Sequence, residues 1–164
     1  MSTASKKTTQ TVKLADMRVS GGDSVLVTHA LGSCLGLMIY DPAEKVGGLL
    51  HAVLPLSTVN PERAMTNPFM FVDLGVPRLF RAAYELGAER ARLVVKAAGC
   101  GSPIGAVDTF RIGLRNYAML KRLLRQSNLT IESEAVGGPA RRMVRFDLST
   151  GRVIVKTAGK ESVL

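Results

Sequence analysis

Residues 34–55, CLGLMIYDPAEKVGGLLHAVLP, leave the chain few ways to fold. Two apolar runs, CLGLMIYD and VGGLLHAVLP, flank a turn. Asp41 suits the first turn position, and Pro42, with its fixed φ, suits the second. Both runs are short, and Pro55 stops the second. The segment therefore predicts two strands folded back as an antiparallel hairpin.

Once that ribbon exists, other segments have a sheet to join. DSVLVTHA, just ahead of it, is β-branched and roughly alternating and predicts a strand. TVNPERAMTNP is a polar surface connection. Beyond it Phe69, Val72, Val76, Phe80 and Ala83 recur at helical spacing. Asn67 and Pro68 offer a start and Gly87 a stop, and Pro77 implies either a kink or a later start. ARLVVKAAG predicts a strand and GCGSPIGAVD a glycine-rich loop. Asp108 is placed to cap a second helix through Phe110, Leu114, Tyr117, Leu120 and Leu124. LTIESEAVGG, RMVRFDL and GRVIVKTA read as closing strands, the last two joined through Ser149, Thr150 and Gly151. Three strands, a helix, a strand, a helix and three strands, mostly joined as hairpins, predict an α+β fold. That many strands suits two stacked sheets with both main helices on one side.

The chain has 164 residues and 46% hydrophobic content, enough for one domain with a buried core. No apolar run reaches the roughly 18 residues of a membrane span. MSTASKKTTQTVK is polar and basic with no apolar leader segment, so residues 1–12 are expected to form a flexible basic tail ahead of a single domain over 13–164. Without export the chain is expected in the reducing cytoplasm with Cys34 and Cys100 as thiols, whereas an oxidising compartment would allow them to form a disulfide. The net charge of +9 favours acidic partners. Aromatics are only 5% and form no stacking motif, which argues against nucleic acid.

The hairpin also carries chemistry. The chain has two cysteines and two histidines, and Cys34, His29 and His51 all fall within residues 27–55. If Pro42 and Ala43 formed a two-residue turn, Tyr40 would face Lys45 and Cys34 would face His51. Facing residues share one side of the sheet, with Cβ atoms roughly 4.5–5.5 Å apart. A slip of two residues would leave the pair diagonal and still able to touch. A cysteine beside a histidine can become a thiolate nucleophile with the imidazole as its base. Thr28 is a candidate to orient that base. His29 would point to the other face. Gly32 and Ser33 let the backbone approach a substrate closely, and its N–H groups there could bind an oxyanion. The plainer alternative is a buried cysteine and a core histidine.

The stretch THALGSCLGLMIYDPAEKVGGLLHAVLP resembles the chemoreceptor glutamine deamidase family, CheD, with its T-x-x-L-G-S-C segment, D-P turn and G-G-x-x-H-x-x-L-P segment. FVDLGVPRLFRAAYELGA, IGLRN and GGPARRMVRFDLSTGRVIV resemble that family's later blocks. His29 and Ala30 depart from its usual Leu-Gly, and KAAGCGSP departs from its K-x-F-G-G-A-like stretch. The resemblance implies a three-layer α/β/β sandwich. It implies a site of Cys34 as nucleophile, His51 as base and Thr28 as third member, acting on glutamines of chemoreceptor cytoplasmic domains. It also implies a CheC-type phosphatase as a regulatory partner.

The expected reaction is amide hydrolysis through a thioester, with ammonia released. It calls for no cofactor, and one cysteine with two histidines here lacks a structural metal spacing. The alternative from another class is a non-catalytic chemotaxis adaptor that binds the phosphatase or the receptor.

Overall fold

The structure, a computed structural model, describes residues 5–105 and 107–164. In chain order its elements are β1 (Thr8–Thr11), β2 (Asp16–Ser20), β3 (Ser24–Leu31), β4 (Leu35–Asp41), β5 (Val46–Ala52), α1 (Pro61–Thr66), α2 (Val72–Glu85), β6 (Val94–Gly99), α3 (Ile112–Gln126), β7 (Ser133–Val136), β8 (Arg142–Asp147), β9 (Arg152–Thr157) and β10 (Lys160–Val163).

The strands make two five-stranded sheets, ordered β1-β3-β8-β9-β10 and β2-β5-β4-β6-β7. Pairing is antiparallel except between β1 and β3 and between β6 and β7. The sheets bury Leu26, Leu31, Met38, Leu49, Phe146 and Val155 between them. The outer face of the second sheet packs Leu37, Leu50 and Ile39 against Val76, Leu79 and Leu120 of α2 and α3. The result is the expected α+β sandwich, layered helix, sheet, sheet.

Strand β4 explains why its sequence shows no polar alternation: every residue of it is buried. It lies between the helices on one side and the other sheet on the other, so both faces need apolar residues. Strand β5 is equally enclosed and accommodates α2 through Gly48. A Cβ there would lie 2.7 Å from Leu79 Cδ1 and 2.9 Å from Val19 Cγ2. Only glycine lets the helix rest this closely on the strand.

Four sequence expectations need revision. Part of the expected tail is ordered: Thr8–Thr11 forms β1, in parallel register with β3. Residues 1–4 of that tail lie outside the described residues. The hairpin turn spans four residues, not two, because Asp41 stays paired with Val46. The Asp41 carboxylate accepts from Ala43 and Glu44 N–H inside the turn and from the Arg92 guanidinium, at 2.8–3.3 Å. Helix α2 starts at Val72, after a 3-10 turn at Pro68–Met70, and continues past Pro77, so the proline neither begins nor ends it. Helix α3 begins at Ile112, so Phe110 and Leu114, expected on its apolar face, are exposed, whereas Leu120 and Leu124 are buried as expected.

Candidate active site

The four-residue turn shifts the hairpin register by two. His51 faces Gly36 and Leu35 faces Ala52, so Cys34, one residue before β4, lies diagonal to His51. Both side chains enter the space between the sheets. Cys34 packs with Leu31, Met38 and Ala98 of that inner core. His51 reaches across it to Thr28 of β3, in the opposite sheet. Thr28 and His51 are thus in direct contact, while Cys34 lies diagonal to His51 and makes no hydrogen bond to its Nε2; exposures are 8% for Cys34, 2% for His51 and 0% for Thr28. His29, by contrast, is exposed on the far side of β3.

The hydrogen bonds fix the imidazole. Thr28 Oγ1 donates to the Val12 carbonyl at 2.7 Å. A hydroxyl has one proton, so its 2.7 Å contact with His51 Nδ1 requires an Nδ1–H donor. The neutral ring therefore carries its lone pair on Nε2. That atom is buried and has no hydrogen-bond partner among the described residues. Val12 follows β1 directly, and its own N–H donates to Val27 O at 2.7 Å. The ordered end of the expected tail is thus what anchors Thr28.

Burial sets the charge state. It pushes the Cys34 thiol above its ordinary value, an effect opposed by the Arg141 guanidinium and by the residue's own N–H. Burial lowers His51 to about 4. Both shifts favour the neutral thiol and neutral imidazole over an ion pair at rest.

The backbone of the nucleophile loop is held by its carbonyls. Gly32 O accepts from Gly101 N–H at 2.8 Å and Cys34 O from Cys100 N–H at 2.8 Å. Ser33 O accepts from the Asn116 side chain at 2.9 Å. The N–H groups of Ser33 and Cys34 make no backbone hydrogen bond to a described residue. Gly32, Ser33, Cys34, Pro103, Val107 and Arg141 line a cavity of about 350 Å³, large enough for an amide side chain. A groove of about 410 Å³ between α2 and α3 is larger but contains no cysteine or histidine, so size does not choose the site. Among the described residues, no three His, Cys, Asp or Glu side chains group as metal ligands would, and no helix is long and apolar enough to cross a membrane.

Several contributors escaped sequence reading. Val12 acts through its carbonyl, which carries no residue signature. Arg141 sits in a loop far along the chain. Cys100 is buried among the helix-side residues, and burial pushes its thiol up to about 12. Asn116 had a legible signal: it is a polar residue on the buried stripe of α3 that runs through Gly113, Leu120 and Leu124.

Comparison with known proteins points to one family. A family model described as "CheD chemotactic sensory transduction" matches residues 53–157. The chain is 45% identical over 150 residues to the probable chemoreceptor glutamine deamidase CheD 1 of Syntrophus aciditrophicus (strain SB), covering 90% of this chain and 93% of that protein. It is 44% identical over 154 residues to the probable chemoreceptor glutamine deamidase CheD of Solibacter usitatus (strain Ellin6076), covering 93% and 91%. It is also 44% identical over 155 residues to the probable chemoreceptor glutamine deamidase CheD 2 of Anaeromyxobacter dehalogenans (strain 2CP-C), covering 94% and 98%.

Proposed function

This chain belongs to the CheD family, and on that premise we propose that it is a protein-glutamine deamidase of chemoreceptors with Cys34 as nucleophile, His51 as base and Thr28 as the residue that orients the base. One observation carries the reading: the hydrogen bonds from His51 through Thr28 to Val12 leave Nε2 as a buried lone pair with no partner among the described residues, on a ring diagonal to Cys34 in the hairpin.

The steps follow from that arrangement. A glutamine side chain enters the cavity and excludes water from the sulfur. The thiol attacks the amide carbon as His51 Nε2 takes its proton, so the thiolate forms during the attack. The former carbonyl oxygen gains negative charge, and the free N–H groups of Ser33 and Cys34 are available to hold it. The imidazolium then gives its proton to the departing nitrogen, which leaves as ammonia. A thioester remains. His51 next takes a proton from water, whose oxygen attacks the thioester carbon. Collapse returns the proton to the sulfur and leaves glutamate. Side chains and water supply every step.

A CheC-type phosphatase, implied by the sequence resemblance, belongs to this reading as a regulatory partner. Mixing the two proteins and following both co-elution and deamidation tests it. The catalytic proposal is tested by incubating the chain with a chemoreceptor cytoplasmic domain and mapping peptide masses. Specific glutamine peptides should gain about one mass unit per residue converted, and Cys34→Ala should leave them unchanged. A wild-type protein that binds the receptor without changing any mass would instead establish the adaptor.

A further inference from the structure

We propose that Asn116 is a positioning residue for the reaction: by gripping the Ser33 carbonyl it turns the following N–H, that of Cys34, into the site. The proposal rests on the reading of Cys34 as nucleophile.

Asn116 is wholly buried in the second turn of α3. Its Nδ2 makes two hydrogen bonds, to Ser33 O at 2.9 Å and to Val53 O at 3.0 Å. Two carbonyl acceptors leave no doubt which amide atom faces them, since the opposite orientation would set oxygen against oxygen. Ser33 precedes the nucleophile. Val53 lies two residues after the base. One side chain therefore joins the loop carrying Cys34 to the strand carrying His51.

The grip has a directional consequence. In a trans peptide the C=O and the following N–H point opposite ways. With Ser33 O drawn toward α3, the N–H of Cys34 is turned away from the helix. It makes no backbone hydrogen bond to a described residue, which leaves it on the side of the loop away from α3. An oxyanion donor must stand close to the sulfur, because the oxygen develops on the carbon that the sulfur attacks. Of the three groups holding the carbonyls of residues 32–34, Asn116 alone is a side chain, so mutation can remove it without altering the backbone.

The sequence builds this approach deliberately. Gly113 lies one turn before Asn116 on the same face of α3. A Cβ at Gly113 would lie 2.6 Å from Cys100 O and closer still to Gly101 O. Glycine thus lets the first turn of the helix rest on the chain that pairs with the nucleophile loop. Asn116 Oδ1, meanwhile, is buried without a partner among the described residues. A buried amide with an unmet acceptor is a costly choice for a position meant only to fill space.

The test uses the full chain and a chemoreceptor cytoplasmic domain, with kcat and KM for glutamine conversion read by mass. For Asn116→Ala we expect kcat to fall about 10- to 100-fold, with KM within about twofold of wild type. Asn116→Asp sets a carboxylate against two carbonyl oxygens. It can donate only when protonated, and then to one carbonyl, so kcat should be impaired and should partly recover on acidification. Leu120→Ala, one turn further on the same face, is the packing control. At matched melting temperature it should keep its kcat. If the alanine variant does not fold, the recovery of Asn116→Asp on acidification carries the test. The proposal is overturned if Asn116→Ala keeps kcat within about threefold of wild type, if the Asp variant shows no acid recovery, or if Leu120→Ala loses as much kcat. Failure of the underlying reading looks different: Cys34→Ala would remain active.

Discussion

A threonine in place of a carboxylate behind the histidine proposed as base changes the chemistry at the scale of one residue. Thr28 fixes the tautomer, since its single proton is committed to Val12 O. Being neutral, it offers the imidazolium far less stabilisation than a carboxylate would. The site should therefore be sensitive to loss of the hydroxyl but not to its exact carrier. Thr28→Val keeps the shape, frees the ring to turn and orphans Val12 O. Its kcat should drop at least about tenfold, while Thr28→Ser should keep most of the activity. The same neutrality sets the pH dependence. His51 works as a base only when unprotonated, and burial lowers it to about 4. The acid limb of kcat/KM should accordingly lie near pH 4 instead of at the ordinary histidine value of 6.5. A measured limb between about 6 and 7 would mean that the histidine responsible is not buried in this way.

At the scale of elements, the enclosed strands β4 and β5 were legible for a physical reason. Burial on both faces writes a continuous apolar run, and the Asp41-Pro42 turn divides it. Their register was not legible, because it is set from a distance. Arg92, 51 positions along the chain, takes the Asp41 carboxylate and holds that residue in the ladder. The site tolerated the two-residue shift because side chains alternate with period two, so Cys34 and His51 kept a common face. Helix α3 was legible in its second half, where Leu120 and Leu124 are buried, but not at its start, where Phe110 and Leu114 are exposed and the buried face runs instead through Gly113 and Asn116. A test at this scale concerns Gly48, where α2 meets β5. Gly48→Ala forces the helix outward or the strand inward and should cost about 1–3 kcal/mol. In a chain of this length that lowers the melting temperature by about 2–4 °C per kcal/mol, measurable by calorimetry. An unchanged melting temperature would mean that the helix is not seated as tightly as described.

The whole molecule joins the site to both sheets, so its stability and its chemistry share determinants. The first segment illustrates this. TTQT is polar and short, with no pattern to distinguish it from a loose terminus, yet it pairs with β3 and carries Val12 to Thr28. A chain starting at Lys13 should lose both thermal stability and deamidation, and one starting at Lys7 should lose neither. Acid should expose the same coupling in two stages. In the unfolded chain His51 takes up a proton near its ordinary 6.5, whereas in the folded protein it resists until about 4. Between those values the unfolded state binds more protons, so stability falls as pH falls through that window. The group's contribution is fully present only above about 6.5. Asp41 behaves oppositely in cause but alike in sign. The Arg92 guanidinium, with the N–H groups of Glu89, Glu44 and Ala43, holds its carboxyl well below the ordinary 3.8. That contribution persists above 3.8 and is lost only as pH falls further. Melting temperature should therefore decline first from about pH 6.5 to 4 and again below about 3.8. His51→Gln should flatten the first stage and leave the second, and Asp41→Asn should do the reverse. If the glutamine variant keeps the full first decline, the buried imidazole is not its source.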